Sequence, residues 1–297
     1  MTTAALSPRP IALEPKRTSN RSRFIRAYAR SRVALLGTIV VALMIIGALL
    51  ADVIAPYDPI TPNYTARLAA PGAQFLLGSD ELGRDIFSRL LYGARISLVI
   101  GFIAQSVSLV LGITIGMVAG WYGGWIDDVF MRLADVFFAI PGLMFLIVWV
   151  TIFEPGPVSI FLALGLISWP SSSRMMRSQV LAIKNLDYVI AAQALGATTP
   201  RILMRHLLPN AIAPMIVLAS LGIAGAILSE SILSFLGLGI QIPTPSWGTM
   251  VDASRSYLTS AWWYGIFPGL VIMLTVLGFN FIGDGLRDAL QPTQYNK

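Results

Sequence analysis

Residues 33–54 have the sequence VALLGTIVVALMIIGALLADVI, in which Asp52 is the only charged residue. A helix of about 20 apolar residues spans a bilayer core of about 30 Å, whereas the apolar core of a signal peptide is shorter. The rest of the chain has the same character, because 56% of its 297 residues are hydrophobic and only 12% are charged. The sequence therefore predicts an all-α integral membrane protein whose first transmembrane helix is 33–54.

Five more apolar stretches follow the first one. They are residues 96–119, 129–152, 158–169, 211–240 and 266–282. The stretch 158–169 is short, since a helix of that length covers only about 18 Å. It can cross the membrane only if the helix continues past Pro170 toward Met176. On that condition we predict a polytopic protein with six transmembrane helices.

Lys and Arg are distributed unevenly along the chain. Eight of the 21 lie within the first 32 residues, directly before the first apolar run. Because these residues are enriched in cytoplasmic segments, the N-terminus is predicted to be cytoplasmic. Six alternating spans then leave 16 basic residues inside and five outside, with the C-terminus also cytoplasmic. The net charge of +6 therefore reflects the excess of basic residues on the cytoplasmic side of the membrane, and no nucleic-acid partner is predicted.

This topology divides the chain into five predicted parts. They are a cytoplasmic basic tail (1–32), the first transmembrane helix (33–54), an extracytoplasmic loop (55–95), a five-helix core (96–285) that includes a cytoplasmic loop (173–210), and a cytoplasmic C-terminal tail (286–297).

Several chemistries are disfavoured by what the sequence lacks. It has no cysteine and one histidine, His206, so thiolate metal sites and histidine-rich metal centres are not predicted. The only lysines are Lys16, Lys184 and Lys297, and none follows a glycine, so the chain contains no phosphate-binding loop. We therefore predict no catalytic residue, metal site or cofactor on this chain.

The loop at 185–200, NLDYVIAAQALGATTP, predicts a short helix. Asp187 can cap it, and Gly196 can end it with a positive φ. A helix of about two turns is unstable alone in water, so it needs a surface to pack on. Its predicted packing face consists of Tyr188, Ala191, Ala192 and Leu195. That surface is either a partner protein or the remainder of this chain. A second helix is predicted from Thr199 and Pro200 to a stop at Pro209.

Charged residues are concentrated in LGSDELGRDIFSR at 77–89, just before the second span. Asp85 and Arg89 are spaced to form an ion pair on a helix. The segment predicts a structural network, or alternatively a contact with a partner protein. The residues of interest are Gly78, Asp80, Gly83, Arg84, Asp85 and Arg89.

Ionisable residues at membrane depth are candidates for function. Glu230, followed by Ser231, lies within the fifth apolar stretch and could line a pathway or gate, or form hydrogen bonds at the end of a helix. Arg132 and Asp135 are predicted to pair with each other.

Three motifs resemble one family. The run from Ala191 through Gly196 to RHLLPN at 205–210 resembles the EAA loop of ABC importer permeases, with Ile190 in place of the motif's glutamate. Residues 77–89 resemble the LGTDxxGRDxxSR motif of the C-type permease subunit of dipeptide and oligopeptide importers. ESILSFLGLG at 230–239, continuing to Trp247 and Gly248, is similar to a third motif of that subunit.

The resemblance implies a type I ABC permease fold in a bacterial or archaeal cytoplasmic membrane. It also implies a cytoplasmic coupling helix, which here comprises Asp187, Tyr188, Ala191, Ala192, Leu195 and Gly196. The implied partners are a homologous permease subunit, two ATPase subunits or domains that bind ATP and Mg²⁺, and an extracytoplasmic solute-binding protein. Dipeptides or oligopeptides are the expected substrates, with nickel chelates, glutathione or another small solute as alternatives.

Other classes of protein explain the sequence less well. An ion-driven secondary transporter would not need a docking helix and would normally carry more ionisable groups at membrane depth. An intramembrane aspartyl protease would need two carboxylates that share a proton, and Asp58 and Asp284 lie at or beyond the ends of predicted helices. A hydrolase would depend on His206, which has no nucleophile motif nearby.

Overall fold

A computed structural model describes residues 20–290, and the side chains of residues 24–290. The described chain is helical, and its only β pairing is an isolated bridge between Ser79 and Asp85. The helices are α1 (Asn20–Arg30), α2 (Arg32–Leu49), α3 (Ala51–Ile54), α4 (Ile86–Tyr122), α5 (Gly124–Ala139), α6 (Gly142–Phe153), α7 (Pro157–Ile183), α8 (Asp187–Ala194), α9 (Thr199–Ile202), α10 (Leu208–Phe235), α11 (Trp247–Ser254) and α12 (Trp262–Leu290).

Within residues 20–290, four helical segments are long and apolar enough to cross a membrane: α2, α4, α9 with α10, and α12. The predicted continuous helix over 129–152 is wrong, because α5 and α6 meet there at an angle of 89°. The break falls at Ile140 and Pro141. Proline has no N–H to donate, and it drives the preceding residue into extended backbone, as the ψ of 123° at Ile140 shows. If the bent pair counts as one span, there are five candidates.

Helix α7 continues through Pro170 to Ile183. The predicted fourth span is therefore long enough to cross the membrane, because the helix extends past Met176. Its 27 residues reach about 40 Å. Arg174 and Arg177 lie in its second half, which makes α7 less apolar than the other long helices.

Helices α4 and α7 approach each other closely along a row of glycines. A Cβ atom at Gly112 would lie 2.2 Å from Ser172 Cβ, and one at Gly116 would lie 2.4 Å from the carbonyl oxygen of Ser173. Gly120 continues the row at the same spacing. Small residues four apart let helix backbones approach inside a membrane, and this signal was present in the sequence but missed by the sequence analysis.

The predicted stop at Pro209 is wrong. Helix α9 passes into a π-helical turn at Leu203–Leu207 and then directly into α10. Pro209 occupies the first turn of α10, where its missing N–H is tolerated.

The predicted N-terminal tail is partly helical. Within α1, the Tyr28 hydroxyl lies 2.6 Å from Thr38 Oγ1 of α2, and its ring covers Gly285 of α12. The segment just before the first span is therefore packed on the helical body. The rest of that tail, residues 1–19, and residues 291–297 of the C-terminal tail lie outside the described residues.

Candidate functional site

The charged motif at 77–89 folds into a compact buried network at one end of the molecule. Asp80 is fully buried, and its carboxylate accepts hydrogen bonds from the backbone N–H groups of Leu82 and Arg84, both at 2.9 Å. The guanidinium of Arg84 binds the other carboxylate oxygen at 2.7 Å, and Arg89 lies 3.4 Å from it. Both arginines are 5% exposed. Two arginines thus compensate the buried charge of Asp80, while Arg89 Nε and Asp85 Oδ1 have no hydrogen-bond partner among the described residues.

The predicted pair between Asp85 and Arg89 is wrong. Asp85 instead caps α4, because its carboxylate accepts hydrogen bonds from the N–H and hydroxyl of Ser88, at 2.8 and 2.7 Å. Arg89 pairs with Asp80 and donates to the carbonyl of Pro59 at 2.8 Å. A capping aspartate at a helix start satisfies backbone N–H groups that have no partner within the helix.

Two glycines allow this network to close. Gly78 and Gly83 have φ values of 81° and 77°, a region in which residues with a Cβ are strained. A Cβ at Gly83 would lie 1.8 Å from the carbonyl oxygen of Asn63, and one at Gly78 would collide with the ring of Trp263. All six residues predicted for this motif thus lie in one buried assembly, where α4 begins.

Glu230 is buried between three helices. Its carboxylate accepts hydrogen bonds from Ser234 at 2.8 Å and from Ser97 of α4 at 3.3 Å. Ser97 in turn accepts the backbone N–H of Trp247 at the start of α11, at 3.4 Å. Ser231 donates to a carbonyl of its own helix. Neither Glu230 nor Ser231 lines a described cavity, and a role for the pair in a pathway or gate stays a prediction.

Ion pairs connect α5 to α7 at the opposite end of the molecule. Asp135 pairs with Arg174, and Asp127 pairs with Arg177. The predicted pair between Arg132 and Asp135 is therefore wrong, because a residue on the neighbouring helix takes the carboxylate.

Helix α8 lies at this same end, beside the C-terminal end of α4. The helix begins at Asp187, and the side chain of that residue does not cap it, which corrects the prediction. Gly196 follows its last turn with a φ of 79°, as predicted. Val189 is fully buried and belongs to a core cluster with Met176 and Leu207. A single buried side chain thus anchors α8 to the remainder of the chain.

The rest of α8 and its flanks exposes apolar side chains. Leu195 is 88% exposed, Tyr188 is 42% exposed, and Ala191 is also exposed. Ala192 is half-buried. The predicted packing face, made of Tyr188, Ala191, Ala192 and Leu195, is therefore largely open in this chain. Exposed apolar surface of this kind marks a site of contact with another protein or a membrane.

A cavity of about 560 Å³ opens between α4, α6, α7 and α10. It is mostly apolar, and its polar lining consists of Gln105, Ser168, Ser171, Ser172 and Ser229. Among the described residues, no charged side chain lines it. A second cavity, of about 350 Å³, continues along α10 toward Asp284 and Arg287, and the two share Leu218 and Leu221.

The two aspartates of the protease hypothesis lie far apart. Asp58 is in the loop before α4, and Asp284 lies 20 residues beyond Tyr264 on α12, about 30 Å along that helix. Tyr264 is at the loop end, where its neighbour Trp263 donates to the carbonyl of Ser79. The N–H groups of Ile60 and Thr61 hydrogen bond to Asp58 and hold the pKa of its carboxyl below the ordinary value. A shared proton would require the opposite shift in one carboxyl.

Comparison with known proteins identifies the family. Residues 112–294 match the family described as "binding-protein-dependent transport system inner membrane component". Residues 19–71 match the "N-terminal TM domain of oligopeptide transport permease C". The chain belongs to the first of these families and is a permease of the C type, as the sequence motifs indicated.

Curated relatives cover almost the whole chain. The dipeptide transport system permease protein DppC of Haemophilus influenzae is 41% identical over 293 residues, which are 97% of this chain and 99% of the relative. DppC of Alkalihalophilus pseudofirmus is 42% identical over 89% of this chain and 86% of its own. The glutathione transport system permease protein GsiD of Pectobacterium atrosepticum is 40% identical over 97% of this chain and 96% of its own.

A solved structure shares the fold. A chain of the inward-facing MetNI methionine ABC transporter superposes with a TM-score of 0.56 at 18% identity, covering 68% of this chain and 96% of that chain. This likeness shows that the two chains share a fold.

Proposed function

We propose that this chain is one of two permease subunits of an ABC importer for dipeptides or oligopeptides. In this proposal it forms half of the translocation pathway and couples to ATPases on separate chains. The observation that carries the proposal is α8, which is anchored by one buried valine and leaves its apolar face open at the end of a helical bundle. This arrangement suits a helix that transmits a push from a partner to the membrane-spanning helices.

The proposed topology has six membrane spans. It counts α2, α4, the bent pair of α5 and α6, α7, α10 and α12. Helix α7 is included because its length of about 40 Å exceeds a bilayer core and because its first half is apolar. Six spans place both termini and α8 on the cytoplasmic side, where the basic residues are concentrated.

The proposed partners would cover the surfaces that this chain leaves exposed at its two ends. A cleft in each of two ATPases would receive α8 or its counterpart on a homologous permease. ATP and Mg²⁺ would be bound by those ATPases, since this chain has no phosphate loop. An extracytoplasmic solute-binding protein would deliver substrate at the loop end. The buried network at 77–89 would shape that end and would not itself contact substrate.

The test compares two charged substitutions on α8 in the reconstituted importer. Ala191→Arg places a long cation on the exposed apolar face, whereas Gln193→Arg places the same group on the other side of the helix. We expect the first variant to lower substrate-stimulated ATP hydrolysis and uptake about tenfold, since that corresponds to a loss of only about 1.4 kcal/mol in docking. The second variant should remain near wild type.

Both variants should insert into the membrane at wild-type amounts, because neither position is buried. Equal and normal coupling in the two variants would contradict the assigned role of α8. Uptake driven by an ion gradient without ATP would support a secondary transporter instead.

A glutathione importer is the second candidate, because a glutathione permease of similar length is 40% identical over 97% of this chain. Glutathione is itself a short peptide, so the same pathway could carry it. Competition between labelled dipeptide and unlabelled glutathione in cells with the whole importer separates the two. Complete competition at equal concentration would favour glutathione.

A further inference from the structure

We propose that Gln105 is the peptide-contacting residue of the translocation pathway, and that its side-chain amide hydrogen bonds to the backbone amide groups of a peptide in transit. The inference rests on the proposed function and adds a site within it. The site is the cavity between α4, α6, α7 and α10.

Gln105 is a polar residue whose side-chain amide has no hydrogen-bond partner among the described residues and faces the cavity. It is 5% exposed and lines the cavity. The side-chain hydrogen bonds on this part of α4 run from Ser106 to its own helix and between Ser108 and Ser172, and the Gln105 amide is in none of them. Its amide atoms are not among the buried unpartnered atoms of the described residues, so they remain accessible from the cavity and can bind a ligand there.

Backbone packing positions this amide. A Cβ at Gly222 of α10 would lie 2.0 Å from Gln105 Oε1, so the side chain occupies space that only glycine leaves free. Gln105 lies at the middle of α4, Gly222 at the middle of α10, and Ser168 and Ser171 flank the midpoint of α7. The polar groups therefore lie near the midpoints of three long helices, which the proposed topology places within the bilayer, where polar residues mark substrate pathways.

The lining suits the backbone of a peptide. A glutamine amide and serine hydroxyls can each donate and accept hydrogen bonds, which matches the N–H and C=O groups that every peptide carries. Within residues 24–290, no charged side chain lines the cavity, so it imposes no sign of charge on the substrate's side chains. The second cavity lies next to the first along α10, and the two share Leu218 and Leu221.

Charge substitution at Gln105 tests the contact. Cells that express the whole importer would be given labelled Ala-Lys and Ala-Glu, and the ratio of their uptake rates would be measured. Because like charges at close range repel and opposite charges attract, Gln105→Glu should raise the Ala-Lys to Ala-Glu ratio about fivefold and Gln105→Lys should lower it about fivefold. A residue with only a structural role would reduce both rates alike and leave the ratio unchanged.

Cysteine labelling provides a second measurement if the charged variants do not fold. The chain has no cysteine, so Gln105→Cys can be compared with Ser106→Cys, its exposed neighbour on another face of α4. In an importer whose other subunits lack cysteine, a water-soluble methanethiosulfonate should modify position 105 and leave position 106 unmodified. Saturating Ala-Ala with ATP should slow the reaction at 105. Labelling at 106 alone would overturn the proposal.

The outcomes separate this inference from the proposed function. If wild-type cells take up both peptides and the ratio is the same in both charged variants, only the role of Gln105 is wrong. If the wild-type importer takes up no peptide, the proposed function is wrong and the peptide contact is wrong with it.

Discussion

The two ends of this molecule differ in how deeply their motif residues are buried. At the loop end, Asp80, Arg84 and Arg89 are at least 95% buried and bind one another. At the other end, α8 keeps one buried residue, Val189, and exposes Leu195 almost completely. The first motif is packed within the chain, while the second leaves its apolar face open to solvent or to another surface. Sequence motifs of equal clarity can therefore mark an internal structure or a contact with a partner, and burial distinguishes the two.

The largest expected effect comes from breaking the buried network. Asp80→Ala leaves two buried arginines without their shared carboxylate, and removing one partner of a buried ion pair costs about 3–5 kcal/mol. We expect a large loss of folded protein in the membrane and a lower thermal midpoint in detergent. The matched control is Asp52→Ala, which removes an aspartate from an exposed pair. Equal stability of the two variants would show that the network does not hold the loop end together.

The next effect concerns the anchor of α8. Val189→Ala removes two buried methyl groups and should cost about 2 kcal/mol, within the range for truncation of core residues. Because Val189 is the only fully buried residue of α8, we expect the loss to loosen this helix locally. Hydrogen exchange would show faster exchange at 187–194 and unchanged exchange in α4 and α10. Uniformly faster exchange would mean that α8 is not a separate unit.

A third substitution separates stability from coupling at the same helix. Leu195→Ser changes a side chain that is 88% exposed, so the free energy of unfolding should move by less than about 0.5 kcal/mol. If Leu195 contacts an ATPase as proposed, ATP hydrolysis by the complex should nevertheless lose its stimulation by substrate, because that apolar contact would be weakened. Thermal melting of this subunit alone and ATPase assays of the complex would be compared. A destabilised subunit with normal coupling would show that Leu195 contributes to folding and not to contact with a partner.

The smallest effect is expected at an exposed ion pair of the loop end. Asp52 Oδ2 lies 2.8 Å from Arg95 Nη2, and the side chains of Asp52 and Arg95 are 65% and 34% exposed. Such pairs contribute about 0–1 kcal/mol. Asp52→Asn should therefore shift the thermal midpoint by a few degrees at most, and raised salt should shrink the difference further. A shift as large as that of Asp80→Ala would contradict the distinction between buried and exposed pairs at this end.

Much of the candidate site was predictable because its signals are local. Positive φ at Gly196 and the short helix before it depend on neighbouring residues, and both were predicted. The pairing of charges was not predictable by the same reasoning. Asp85 and Arg89 have the spacing of a helical ion pair, yet Asp85 caps the helix and Arg89 reaches Asp80. The choice among several possible partners depends on how the loop folds, and sequence spacing does not contain that information.

The sequence by itself determined that this chain is a helical membrane protein of one permease family, because long apolar runs and contiguous motifs are properties of composition and local order. Only the tertiary structure decided that Pro141 bends one predicted helix into two, that α7 continues through Pro170, and that Gln105 meets Gly222 in a cavity. Proline is a local helix-breaking signal at both 141 and 170, yet one helix bends and the other continues, so contacts between residues distant in the chain select the outcome. Packing selects among them, because each buried polar group must find a partner or a cavity and each close helix contact needs space.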